Sequence, residues 1–374
     1  MKFDNTRIQK LRSAMLVQPS ICVERAKLIT ESYRATEGEA APIRRAKAFA
    51  HLLKHMTIRI YPDELIVGRP TSKVRGGSIS PELQCDWILK ELDILSTRET
   101  DPFEPLTQEE RDVLADVVPY WETRSLRYHW NQEVGEEHKP YDDLIMGGGA
   151  FSGNNQFPGH ASPDYGQLVT FGVEGLIQKV EERLSRPADE AQRAELEGMK
   201  LCLEAMSGLG DRYAAEARRM AAEESDPVRR QELLDIAAIC DKVPRKAPET
   251  FREAIQSLWF GYMCVMLENW GTGNTFLRID QYLAPLYEAD RAKGLSLEEA
   301  YQYLAMLLVN CNSACVVYSE ARSHGFAGNC SGCSFTIGGV KPDGSCAVNE
   351  LSYLVLEAER AVNMGSDDVV VRIA

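Results

Sequence analysis

The sequence predicts an α/β protein in which helices outnumber strands and the strands pair in parallel. Apolar residues recur at three- and four-residue spacing through most of the chain, and the C-terminal stretch alternates strand, helix and strand signals. No low-complexity or Pro/Ser-rich tract separates one half from the other, so no linker is expected.

The elements follow in order. RIQKLRSAMLV (7–17), CVERAKLITESYRAT (22–36) and APIRRAKAFAHLLKHM (41–56) predict an initial helical layer. DELIVGRPTSKVRGGSISPEL (63–83) begins with a short apolar run that reads as a strand or an extended entry, then turns to Gly, Pro and Ser and reads as a loop. Helical spacing returns at 86–95, 107–123, 164–184, 189–220 and 227–239. In TFREAIQSLWFGYMCVMLEN, Thr250 is the expected N-cap, and Phe251, Ile255, Leu258, Trp259, Tyr262 and Met266 share a face. Apolar residues almost encircle its second half, which predicts a buried helix packed on a sheet. SLEEAYQYLAMLLVNCNSA opens with Ser296 ahead of Glu298 and Glu299 and is apolar on a broad face.

Near the end, CSFTIGGV (333–340) reads as a strand, KPDGS as a turn, VNELSYLVLEAERAV (348–362) as a helix and DDVVVRIA (367–374) as a strand. That is a βαβ unit. The β-branched run VVVRI predicts a strand buried on both faces of a parallel sheet, and such a strand needs a helical crossover. A chain stopping there is expected to be part of something longer, or to need another chain to finish its sheet.

Composition narrows the function. Of 374 residues, 44% are hydrophobic and 26% charged, with a formal net charge of -14. The acidic balance argues against a nucleic-acid or anionic-membrane surface, which needs clustered Lys and Arg. The start, MKFDNTRIQKLRSAMLV, scatters charges where a signal peptide needs an apolar core, and no later run is apolar enough to span a bilayer. A cytoplasmic enzyme is expected. The ten cysteines, without regular spacing, read as reduced thiols.

His160, in FPGHASPDYGQLVTFGVEGLI (157–177), admits two readings. In one, Gly159 turns the chain, Ser162 caps a helix, Pro163 takes its first position and Asp164 favours its dipole, leaving His160 a polar loop residue. In the other, an imidazole near a helix start is biased toward its neutral form and holds a substrate hydroxyl or accepts a proton.

The combination of RRAKAFAHLLKHMTIRIYPDELIVG, GHASPDYGQLVTFGVEGLI, FREAIQSLWF, LRIDQYLAPLYEAD and FTIGGVKPDGSCAVNELSYLVLEA resembles the amino-terminal half of a glycyl radical enzyme. Within that family the chain is similar to the glycerol and diol dehydratase branch. The resemblance implies the amino-terminal half of a ten-stranded α/β barrel, one domain over residues 1–374. A helical layer would occupy about 1–60, and a parallel half-barrel with covering helices about 61–374.

The resemblance also implies a small-molecule substrate and removal of a neighbouring group by C–O, C–N or C–S cleavage. It implies a glycyl radical in the complete enzyme, installed by a radical S-adenosylmethionine activating enzyme and passed to a cysteine on a central loop. Neither radical element has a match here, so this chain is expected to bind no cofactor itself and to be inactive alone. Its expected partners are the activating enzyme, the missing C-terminal half and further copies when complete. By the same resemblance His160 contacts a substrate hydroxyl. Where relatives place a histidine and a serine, this chain has Thr272 and Asn274, which are expected to offer hydroxyl and amide contacts unless 271–274 is an ordinary turn. Cys333 and its neighbours stand where relatives have larger residues and are expected to form a roomier substrate-binding wall.

Other readings compete. Cys330 and Cys333, with Cys311, Cys315 and His324 nearby in sequence, could supply ligands to zinc or an iron–sulfur cluster, but only one C-x-x-C is present and no metal is expected. His51 and His55 are spaced like a metal pair, yet Arg44, Arg45, Lys47 and Lys54 around them predict a solvated face. Asp280 is expected to orient Arg278 or a backbone turn, and Glu350 to open a helix. The alternative function is a non-catalytic half-barrel that serves binding or assembly, or a decayed fragment.

Overall fold

In the computed structural model, which describes residues 3–134, 137, 160–271, 273–325, 327–328, 332–365 and 367–373, helices dominate and six short strands carry the sheets. The order begins α1 (Thr6–Met15), β1 (Ser20–Cys22), α2 (Glu24–Ala35), α3 (Ala41–His55), β2 (Gly76–Ser78), α4 (Ile88–Glu91), α5 (Gln108–Trp121) and α6 (Leu126–Val134). It continues with α7 (Tyr165–Leu184), α8 (Glu190–Glu223), α9 (Pro227–Lys242), α10 (Phe251–Asn269), β3 (Thr275–Arg278), α11 (Ile279–Tyr282) and α12 (Ala284–Ala292). Last come α13 (Leu297–Cys311), β4 (Ala314–Val316), α14 (Glu320–Ser323), β5 (Cys333–Gly338), α15 (Glu350–Val362) and β6 (Asp367–Arg372).

The strands form two three-stranded parallel sheets, β1-β2-β4 and β3-β5-β6. The predicted βαβ unit is present: β5 and β6 pair in parallel, Cys333 opposite Asp367 through Gly338 opposite Arg372, with α15 as the crossover. The strand within the 63–83 segment falls not on its apolar run but in the stretch expected to be a loop. It lies in the glycines of β2, because a Cβ at Gly77 would stand 2.5 Å from Cγ2 of Val317. Side-chain loss lets that strand sit tightly between its neighbours. Val370 is 50% and Val371 53% exposed, since among the described residues β6 pairs with β5 alone and its crossover helix packs on α13 and α1.

The helix after Thr250 behaves as predicted. Thr250 Oγ1 accepts from the Glu253 amide, the Glu253 carboxylate accepts from the Thr250 amide, and α10 is buried along nearly its whole length. Trp259 stacks on Tyr262 at 5.8 Å, Tyr262 on Phe276 at 4.3 Å, and Phe276 on Phe335 at 4.7 Å. This aromatic column ties α10 to β3 and β5 and fixes where the connection between them can run. α3, α8 and α9 pack side by side outside it. Among the described residues, no helix is long and apolar enough to cross a membrane.

Candidate functional site

The site grows from the end of α10. Trp270 closes that helix in the left-handed region at φ 45, with its indole N–H donating to the Cys315 carbonyl at 3.2 Å. Asn269 Oδ1 accepts from the Gly271 amide at 2.7 Å, so the chain leaves the helix in a tight turn. Buried Arg25 holds the last turn from below: its Nε donates to the Leu267 carbonyl at 2.7 Å and one terminal nitrogen to the Glu268 carbonyl at 3.0 Å. Its other nitrogen reaches Ser80 Oγ at 2.9 Å and Glu82 at 2.6 Å. A guanidinium at a helix C-terminus satisfies otherwise orphaned carbonyls and suits the dipole.

His160 meets this turn from the other side. Its own backbone is left-handed at φ 57. The next residue is clamped on both sides: the Ala161 amide donates to Asn274 Oδ1 at 3.2 Å, and the Ala161 carbonyl accepts from the Thr275 amide at 3.1 Å. The imidazole lies over Gly273, where an added Cβ would stand 2.6 Å from Nδ1. Gly273 has φ +70, and a Cβ on Gly332 would come within 3.2 Å of the Gly273 amide nitrogen. Two glycines and a histidine therefore stack, and the imidazole stays exposed to solvent.

The expected helix start shifts accordingly. α7 begins at Tyr165, its N-cap is Asp164 with no side-chain cap bond, and Ser162 is not the cap. The clamp on Ala161 sets this path, so the left-handed turn at His160 precedes the helix and does not form part of it.

The expected contact residues separate. Asn274 is fully buried, and its amide serves Ala161 and, at 3.4 Å, the Gly271 carbonyl; it holds the His160 loop. Thr272 lies outside the described residues, as does Cys330. Cys333 is fully buried with its sulfur 3.4 Å from that of Cys311, so the thiol faces the core behind the wall. Burial pushes the Tyr165 and Tyr262 hydroxyls well above the ordinary tyrosine range, so both stay protonated.

Among the described residues no group of three or more His, Cys, Asp or Glu gathers as metal ligands. His324 is elsewhere, 3.4 Å from Thr100, and His51 pairs with Glu31 at 3.2 Å. Asp280 does not hold Arg278. Its carboxylate accepts from the Gly338 amide at 2.8 Å and from Ser352 Oγ at 2.5 Å, pinning the start of α15 to the end of β5. Arg278 instead donates to the carbonyls of Gly338 and Val340, while Glu350 accepts from the Tyr287 hydroxyl. A separate groove of about 900 Å³ lies between α3, α7 and α8, with the Arg45–Glu268 pair on its wall.

A model described as pyruvate formate lyase-like matches residues 1–374. The chain belongs to that family. Among its curated relatives, isethionate sulfite-lyase of Nitratidesulfovibrio vulgaris is 32% identical over 99% of this chain and 45% of its own length. The probable dehydratase YbiW of Escherichia coli is 34% identical over 95% of this chain and 45% of its own. The glycerol-bound B12-independent glycerol dehydratase of Clostridium butyricum superposes with a TM-score of 0.93 at 31% identity, covering all of this chain and 48% of that one. A glycyl radical enzyme from Archaeoglobus fulgidus superposes at 0.91 and 33% identity, over 98% and 48%.

The glycyl radical relationship expected from the motifs holds, as does the α/β class. This pyruvate formate lyase-like chain spans about half the length of the curated relatives it matches. The role of Arg25 escaped the sequence because the helix-end carbonyls it serves, those of Leu267 and Glu268, are more than two hundred residues away in the chain. Gly273 had a local signal, a glycine pair flanking Thr272, but no sign of which side chain it had to admit.

Proposed function

We propose that residues 1–374 form one wall of the substrate chamber of a glycyl radical lyase or dehydratase, with His160 contacting a substrate hydroxyl. The observation that carries this is the clamp: a left-handed histidine, fixed through Ala161, backed by Gly273, and still presenting its imidazole. Such backbone strain persists where surrounding structure over-determines it, and it concentrates at binding and catalytic positions.

A ring nitrogen held there accepts the hydrogen bond of a substrate hydroxyl and draws its proton as a group leaves the neighbouring carbon. Thr272 stands between Gly271 and Gly273 in the sequence and is the second contact proposed. Cys333 supports the wall through packing, and Asn274 through positioning. In this family the radical supplies hydrogen-atom abstraction from the substrate. Its cysteine and glycine are to be provided outside residues 1–374, and its formation by a separate activating enzyme. The substrate is a small polar compound with a hydroxyl next to the bond that breaks; relatives are named for isethionate, trans-4-hydroxy-L-proline and 1,2-propanediol dehydration. A cytoplasmic setting and a homo-oligomer complete the proposal, and the nine described cysteines, all thiols, suit a reducing compartment.

The test is anaerobic reconstitution with the radical-bearing half and an activating enzyme, followed by a screen of hydroxylated sulfonates, diols and hydroxyproline. Turnover of at least one is expected. A full glycyl radical signal by electron paramagnetic resonance with no turnover of any would overturn the assignment.

A further inference from the structure

A second pocket lies on another part of the chain, at the edge where β1 and β2 begin. It has a volume of about 400 Å³, and Arg59, Lys73 and Arg75 line it together with Ser20 and Ser72. Three cations on one cavity stand out in a chain of net charge -14. Lys73 is committed, since its Nζ donates to Glu110 at 2.6 Å. Arg59 and Arg75 have no carboxylate partner among the described residues, and the Nε of Arg75 is buried without any hydrogen-bond acceptor. Ser72 Oγ, 3.3 Å from the Cys22 sulfur, adds a hydroxyl on the same wall. Glu104 also borders the cavity; like Arg59 it is exposed, so water screens the charges of both.

From this placement we infer that the pocket binds a small phosphate monoester. Two unpaired arginines match a phosphoryl group carrying about -1.5 to -2 charges at neutral pH. The fork of Arg75 suits two of its oxygens, and Arg59 and the Ser72 hydroxyl suit the third. The volume, near the lower end of small-molecule sites, leaves room for a short organic group and not for a nucleoside triphosphate. This site shares no residue with the His160 wall, so it stands or falls apart from the proposed radical chemistry.

The experiment is calorimetric titration of the 374-residue chain with glycerol phosphate, inorganic phosphate, sulfate and acetate at one ionic strength. Saturable binding of glycerol phosphate is expected, with acetate inert. Arg75→Gln should weaken it by about tenfold or more, the loss of one charged hydrogen-bonding partner. Arg59→Gln, at an exposed position that tolerates change, should weaken it as well. Glu104→Gln should tighten it about two- to fivefold by removing an opposing charge. Binding unchanged in Arg59→Gln, equal heats from acetate, or no binding up to about 10 mM would each overturn the inference.

Discussion

At the residue scale the position of the His160 imidazole depends on what is absent from Gly273. An alanine there would place its Cβ 2.6 Å from Nδ1 of His160, and φ +70 disfavours any Cβ. We expect Gly273→Ala to cost about 1–2 kcal/mol in urea unfolding, the usual penalty for a left-handed L-residue. In the reconstituted enzyme it should depress turnover far beyond what that loss of stability explains, because the imidazole must swing away. His160 itself was legible from the sequence as a candidate, since helix capping left it unexplained. Its clamp was not: Asn274 and Thr275 sit more than a hundred residues further on, and spacing along the chain gives no hint that they would grip Ala161. Asn274 admitted both a ligand contact and an ordinary turn from the sequence; complete burial and two backbone partners give it a structural role in holding the loop.

At the scale of elements, caps whose partners lie within one helical turn were readable, whereas the expected Ser162 cap fails because the clamp on Ala161 moves the helix start to Tyr165. Thr250 and Ser296 both close capping boxes as their sequences suggested. In α13, Ser296 Oγ and the Ser296 amide both donate to Glu299, at 2.6 Å and 2.9 Å, and these bonds hold its carboxyl below the usual value of 4.5. The sign follows. A depressed folded value contributes stability that is fully present above pH 4.5 and is lost as pH falls through the folded value. Ser296→Ala should therefore cost about 1 kcal/mol at neutral pH, and the gap from the parent chain should narrow in acid. Urea unfolding at the two pH values measures it; a gap that widens in acid would contradict the cap. Strand placement was less readable. β2 is built of Gly-Gly-Ser, which no propensity scale favours, and it exists because neighbours leave no room for side chains. β6 has the composition of a buried strand and is exposed, since burial depends on what packs beside it and not on its own residues.

At the scale of the whole molecule, one hydrophobic cluster runs from Ile8 to Val362 and carries the parallel strands, with the His160 wall at the junction of α7, α10 and β3. The alternating strand and helix signals of the C-terminal stretch made the parallel pairing legible. The grouping into two three-stranded sheets was not, because register between distant strands has no local sequence signal. What the fold supplies is a rigid support that presents one imidazole against a glycine floor. Rigid support matters for chemistry because a misplaced catalytic group loses most of its effect.

The most direct measurement is the activity of His160→Ala in the anaerobically reconstituted and activated enzyme, with radical content quantified on the same sample. The expected result is an unchanged glycyl radical signal with turnover reduced about a hundredfold or more, the usual contribution of a positioned acid–base group. Turnover equal to that of the parent enzyme at equal radical content would contradict the assignment of His160 to the substrate.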